Sequence, residues 1–71
     1  MTYKRLLEQL SAREMLVFTR IAQGKTLAEI ADDTGIEQST VSTYRARVLK
    51  KLNLANNAEI AVCAHRAGML R

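Results

Sequence analysis

Residues 26–52 read TLAEIADDTGIEQSTVSTYRARVLKKL, and the fold is decided in this stretch. It opens with a capping box, in which Thr26 is followed three residues later by a glutamate, and its apolar residues recur at helical spacing up to Gly35. The apolar residues beyond that glycine are spaced to share one face of a longer helix: Val41, Val48 and Leu52. We therefore predict a short helix that stops at Gly35, a tight turn, and a second helix over residues 38–52, which together form a helix-turn-helix.

The sequence on either side predicts further helices. A second capping box at Ser11 begins a helix over residues 12–23, and an asparagine followed by a glutamate begins a final helix over residues 57–67. Residues 1–9 form an N-terminal extension or a short helix. No linker or low-complexity stretch interrupts the chain, so we predict a single all-α domain of four helices, with or without a short extra helix at its N-terminus.

The size and composition of the chain favour a binding module. With 71 residues it holds one compact core and leaves little room for an enclosed catalytic cleft. Hydrophobic residues make up 48% of the chain and charged residues 25%, which is typical of a folded domain and too apolar for a disordered one. No nucleophile, base and orienting group fall at a workable spacing, so we predict that the chain is not an enzyme and assign no catalytic residue.

The chain contains one cysteine, Cys63, and one histidine, His65. A single cysteine forms no internal disulfide, and no cluster of cysteine and histidine has metal-ligand spacing, so we predict neither a metal nor a cofactor. The sequence has no signal-peptide pattern and no apolar run approaching about 18 residues. These features predict a cytoplasmic protein that does not contact a membrane.

The net charge of +4 is concentrated in one segment of the chain. Residues 40–52 carry no acidic side chain and four basic ones: Arg45, Arg47, Lys50 and Lys51. On a helical wheel, the face opposite the apolar one holds small residues first and basic residues further on: Ser42, Thr43, Ala46, Arg47 and Lys50. Small side chains let a helix approach base edges closely, and arginine can pair bidentately with guanine. The alternative is the solvated face of an ordinary helix.

Six motifs in register along the chain carry a resemblance to a known family: Leu10-Ser11-x-Arg13-Glu14, Ile21-Ala22-x-Gly24, Glu29-Ile30-Ala31, Ser39-Thr40-Val41, Lys51-Leu52 and Ala64-x-x-x-Gly68. With these motifs, nearly the whole chain from Leu10 onwards resembles the LuxR-type (GerE, NarL/FixJ) helix-turn-helix domain. Residues 40–53 are similar to the response-regulator branch that contains GacA, UvrY and BvgA, in which a tyrosine, here Tyr44, replaces the more usual histidine.

The resemblance implies a transcription regulator, either stand-alone or the output domain of a longer protein, with the third of four helices in the major groove of double-stranded DNA. It assigns base-edge contacts to Ser42, Thr43 and Ala46, with Arg47 at the margin. It assigns phosphate contacts to residues near helix N-termini and along the groove: Thr26, Ser39, Thr40 and Lys50. For Tyr44, a phosphate contact through its hydroxyl and a purely structural role are both open. Arg45 is either a phosphate clamp or an internal salt-bridge partner.

The final helix is the predicted dimer contact, a role that the fourth helix often has in the family. We place Ile60, Ala61 and Ala64 towards the core, which leaves an outer arc of Glu59, Val62, Cys63 and Arg66. Two antiparallel copies would bury the two apolar residues of this arc at the centre and pair each glutamate with the partner's arginine. We therefore predict a weak homodimer.

Some residues depart from the family pattern and support a different class of function. Glu37 stands where many members have serine, and Leu27 and Ala28 stand where asparagine and lysine are frequent. These departures favour a protein-interaction module that keeps the fold and sequesters another transcription regulator, as an antiactivator would. The candidate partners are therefore double-stranded DNA, a second copy of the chain, another transcription regulator and RNA polymerase.

Overall fold

The computed structural model describes residues 2–69, and this part of the chain forms five α-helices joined by short turns. The helices are α1 (Tyr3–Leu7), α2 (Ala12–Ala22), α3 (Leu27–Thr34), α4 (Gln38–Leu52) and α5 (Asn57–Arg66). No strand occurs between residues 2 and 69. The prediction of an all-α helix-turn-helix fold is confirmed, and α1 is the short extra helix at the N-terminus.

Local side-chain contacts fix where these helices begin. In the capping box of α2, Ser11 Oγ accepts a hydrogen bond from the Glu14 amide at 3.2 Å, and the Glu14 carboxylate accepts one from the Ser11 amide at 2.8 Å. The capping box of α3 has the same pattern between Thr26 and Glu29, at 3.1 Å and 3.0 Å. Each box satisfies two amides that a helix N-terminus would otherwise leave without partners.

The hydrophobic core is centred on α2, which packs against both α4 and α5, while α3 packs against α4. Six large apolar side chains are fully buried there: Val17, Phe18, Ile30, Val41, Val48 and Ile60. The predicted inner face of α4 is confirmed, because Leu52 is buried as well. Burial of this apolar stripe fixes the rotation of α4 about its own axis and so decides which of its side chains face outwards.

Cys63 is not on the outer arc of α5, and our placement of it there is wrong. Its side chain is 3% exposed and belongs to the core, whereas Ala61 is only half-buried. The reason is helical geometry, because residues three and four positions after Ile60 lie on its face, and these are Cys63 and Ala64. Burial also raises the pKa of the Cys63 thiol, which keeps it protonated and unreactive.

Candidate nucleic-acid interface

The outer face of α4 is the side opposite its buried stripe. All five residues that we predicted there are exposed: Ser42, Thr43, Ala46, Arg47 and Lys50. Because α4 is held against α2 and α3, its backbone and these side chains form one ridge on the surface. We call these five residues the outer face of α4.

Small polar residues occupy the N-terminal half of α4. Ser39 and Thr40 lie exposed in its first turn. The Thr43 hydroxyl donates a hydrogen bond to the Ser39 carbonyl at 3.1 Å, so its oxygen is left to accept a hydrogen bond from outside. Glu37 occupies the N-cap position of α4 and makes no side-chain capping bond. A carboxylate therefore stands at the start of this helix, where the family often has a serine.

Of the four basic side chains of α4, two are bonded to residues of other helices and two form no salt bridge within residues 2–69. Arg45 Nε donates to Asn57 Oδ1 at 2.7 Å, which ties α4 to the start of α5. Lys51 Nζ forms a salt bridge of 2.7 Å with Glu14 Oε1. Arg47 and Lys50 are exposed and form no salt bridge with any residue between 2 and 69. Of the four cations of α4, the two on the outer face are thus the ones whose side chains form no hydrogen bond or salt bridge in this part of the chain.

The pair of Glu14 and Lys51 is a feature that our sequence reasoning missed. Glu14 is 3% exposed, and its charge is compensated by the lysine. The hydrogen bond from Lys51, followed by the one from the Ser11 amide, lowers the pKa of Glu14 below its ordinary value of 4.5, against the opposing effect of desolvation. The capping box predicted where Glu14 lies in α2, but nothing local to it pointed to a lysine in another helix.

Tyr44 lies between the outer face and the core. Its ring is half-buried and packs against the core cluster, which supports the structural part of its predicted role. The guanidinium carbon of Arg47 lies 5.9 Å from the centroid of this ring. Within residues 2–69 no hydrogen bond to the Tyr44 hydroxyl is formed.

The start of α3 is less favourable to an anion than the sequence indicated. The Thr26 amide donates to the Glu29 carboxylate, and the Thr26 oxygen accepts from the Glu29 amide, so both groups are already engaged within the capping box. The hydrogen bond from the Thr26 amide, followed by the one with the Thr26 side chain, lowers the pKa of the exposed Glu29. Leu27 packs against the core, so its departure from the family's asparagine serves packing.

The outer arc of α5 consists of Glu59, Val62 and Arg66, all exposed, and Val62 is 49% exposed. Arg66 contacts α1, because its Nη1 atom donates to the Tyr3 hydroxyl at 2.9 Å and its guanidinium lies over the Tyr3 ring. The same hydroxyl raises the pKa of Arg66. A shallow groove on this side is lined by Tyr3, Leu54, Glu59, Val62, Cys63 and Arg66.

Residues 2–69 contain no group of three or more histidine, cysteine, aspartate or glutamate side chains that could bind a metal ion. None of the helices in this part of the chain is long and apolar enough to cross a membrane.

A helix-turn-helix with an exposed basic outer helix defines a class of nucleic-acid-binding domain. The residue pattern of the family described as bacterial regulatory proteins, luxR family (GerE), matches residues 8–64. The chain therefore belongs to the luxR family of bacterial regulatory proteins, and the predicted resemblance is confirmed.

Three relatives illustrate the match. The chain is 41% identical over 61 residues to the transcription regulator BvgA of Bordetella pertussis, which covers 86% of the chain and 29% of BvgA. It is 39% identical over 59 residues to the transcriptional regulatory protein LiaR of Bacillus subtilis, which covers 83% of the chain and 28% of LiaR. It is 35% identical over 63 residues to the response regulator GacA of Pseudomonas aeruginosa, which covers 89% of the chain and 29% of GacA. The chain thus spans less than a third of the length of these relatives, and no solved structure matches it.

Proposed function

We propose that this chain binds double-stranded DNA by inserting the outer face of α4 into the major groove, and that it regulates transcription in this way. The observation that carries the proposal is the outer face itself, where small residues are followed by two cations that form no salt bridge with any residue from 2 to 69. Membership of the luxR family and the names of the relatives, which are transcription regulators, support it. Bacterial DNA lies in the cytoplasm, so we propose that location for the activity.

The contacts follow from the position of each side chain along α4. Ser42, Thr43, Ala46 and Arg47 would face base edges, where a short side chain allows close approach and arginine can pair with guanine. The phosphate contacts that we propose come from residues at the edge of this surface: Thr26, Ser39, Thr40, Tyr44, Arg45 and Lys50. Arg45 would contribute its terminal nitrogens, because Nε is bonded to Asn57.

The experiment is a selection of bound duplexes from a random DNA pool, followed by a salt titration of the enriched duplex. Arg47→Ala and Lys50→Ala should each weaken binding and reduce the slope of log affinity against log salt by up to about one, because each removes at most one neutralised phosphate. Lys4→Ala, an exposed lysine on α1, is the control and should leave the slope unchanged. An Arg47 and Lys50 double mutant that binds as tightly as the wild type would show that DNA contacts another surface.

We also propose that the domain pairs as a weak homodimer through the outer arc of α5, with Val62 at its centre. Because Cys63 is buried in the core, the apolar contribution must come from Val62 and the neighbouring groove. Arg66 is already bonded to Tyr3, so an ion pair with the partner's glutamate would compete with that contact. So small a surface implies pairing that is completed on DNA, where two half-sites raise the effective concentration.

A second candidate function is a protein-interaction module that sequesters another regulator. It is favoured by the large apolar side chains exposed within residues 2–69, which lie on α1, on α5 and just beyond α5: Tyr3, Val62 and Met69. Contacts with another transcription regulator or with RNA polymerase would use these exposed apolar side chains. The random-pool selection separates the two functions, because a pure interaction module would enrich no duplex.

A further inference from the structure

Tyr44 and Arg47 lie three residues apart in α4 and are therefore neighbours on one side of the helix. The Arg47 guanidinium carbon is 5.9 Å from the centroid of the Tyr44 ring, within the distance at which a cation is attracted to an aromatic face. The ring is half-buried against the core, whereas Arg47 is exposed. An anchored ring thus lies beside a long side chain that forms no salt bridge and no side-chain hydrogen bond within the described residues.

The other cations of α4 show why this contact matters for Arg47 in particular. Arg45 is held by Asn57, and Lys51 is held by Glu14. Between residues 2 and 69 Arg47 has no acidic partner, so the Tyr44 ring is the group that restrains its guanidinium. Lys50, the remaining cation, meets phosphate as a point charge and needs no fixed orientation.

Orientation matters for arginine because its planar guanidinium pairs with a guanine edge through two parallel hydrogen bonds. A side chain that is already restrained loses less conformational freedom when it binds. We propose that Tyr44 is a positioning residue that holds Arg47 for base readout and so sets sequence preference without touching a base. This inference rests on the proposed function of the outer face of α4.

The contact itself is tested by nuclear magnetic resonance of the free protein. A guanidinium over an aromatic ring has its Arg47 side-chain proton resonances shifted upfield by the ring current. These shifts should be present in the wild type and in Tyr44→Phe, and absent in Tyr44→Leu. If the Arg47 side-chain resonances of the wild type have the chemical shifts of an unrestrained arginine, the inference is overturned. This result does not depend on whether the protein binds DNA.

The role in readout is tested by random-pool selection and binding titrations with the same variants. Tyr44→Leu should lower discrimination at one base-pair position by roughly two- to fivefold, the range of an exposed cation–π contact, with an unchanged salt slope because no charge is removed. Tyr44→Phe should keep the wild-type preference. In an Arg47→Ala background, Tyr44→Leu should change discrimination at that position no further, which a merely structural role would not predict.

The role of the ring would be overturned if Tyr44→Leu discriminated between base pairs as well as the wild type does. It would also be overturned if Tyr44→Phe lost as much discrimination as Tyr44→Leu. If Tyr44→Leu melts below the assay temperature, Tyr44→Met replaces it, since methionine fills a similar space without a ring. A wild type that shows the Arg47 shifts but enriches no duplex would refute the proposed function, and the readout role with it. A wild type that enriches a duplex without these shifts would refute the role of Tyr44 alone.

Discussion

Glu14 is a single residue that links two helices. Its carboxylate closes the capping box of α2 and also accepts the hydrogen bond from Lys51 of α4. A carboxylate with so little exposure is stable only when its charge is paired and its oxygens are hydrogen-bonded. Glu14 therefore adds a polar contact between α2 and α4 to the apolar packing that orients the outer face.

Replacing Glu14 by glutamine tests this link. We expect Glu14→Gln to lower the free energy of unfolding by about 1–3 kcal/mol, because a buried charge-assisted hydrogen bond is weakened while the shape is kept. The measurement is denaturant unfolding followed by circular dichroism. Glu29→Gln, the equivalent position in the exposed capping box of α3, is the matched control and should have a clearly smaller effect. Equal losses in the two variants would mean that Lys51 adds nothing to the capping box.

The same residue predicts how stability depends on pH. The pKa of Glu14 is lowered in the folded protein from 4.5, chiefly by Lys51, so the unfolded chain takes up the proton at a higher pH than the folded one. Its contribution is therefore present above pH 4.5 and lost as the pH falls through the folded pKa. We expect the melting temperature of the wild type to fall more steeply below pH 4.5 than that of Glu14→Gln. Parallel curves for the two proteins would contradict the lowered pKa.

At the scale of elements, the turn between α3 and α4 sets the geometry of the helix-turn-helix. Gly35 ends α3 in the left-handed conformation, with φ of 72°, and its amide donates to the Ala31 carbonyl at 2.9 Å. The hydroxyl of Thr34 accepts a hydrogen bond from the Ile36 amide at 3.3 Å, which directs the chain towards α4. A turn this short leaves little freedom in the angle between the two helices.

Gly35→Ala tests the turn. A methyl group added at this position would meet no atom within 4 Å beyond the two neighbouring residues, so the cost comes from the backbone conformation alone. We expect a loss of about 1 kcal/mol, which in a domain of this size corresponds to a fall of about 4–8 °C in melting temperature. Gly35→Asn should lose less, because asparagine adopts this conformation more readily. If both variants melted like the wild type, the turn would have rearranged without cost.

At the scale of the whole molecule, DNA binding and pairing would use different surfaces. The outer face of α4 is basic, whereas the outer arc of α5 carries one exposed apolar residue, Val62, between charged ones. Both helices pack against α2, and the cations of the outer face are not among the residues of the α5 arc, so we expect a partner bound to α5 to leave them available to DNA. This separation lets pairing change affinity without changing base preference.

Val62→Glu tests the pairing surface. The residue is exposed and outside the core, so the fold should persist while a charge enters the centre of the proposed interface. We expect affinity for a duplex with two half-sites to fall by about tenfold or more, with binding to a single half-site falling much less. Ala12→Glu adds the same charge at an exposed position of α2 and serves as the control in the same titrations. Unchanged cooperativity in Val62→Glu would move the interface away from α5.

The sequence by itself determined the local features of this protein. Helix bounds, capping boxes and the turn at Gly35 depend on residues within about four positions of one another, and these were predicted with α4 at its observed bounds. The outer face of α4 was also predictable, because a strong apolar stripe leaves only one side of a helix for solvent.

Only the tertiary structure decided which side chains meet across helices. Lys51 lies 37 residues from Glu14, and Arg66 lies 63 residues from Tyr3, so no local pattern connects them. Such contacts depend on how rigid helices pack, which is a property of the assembled core rather than of any one segment.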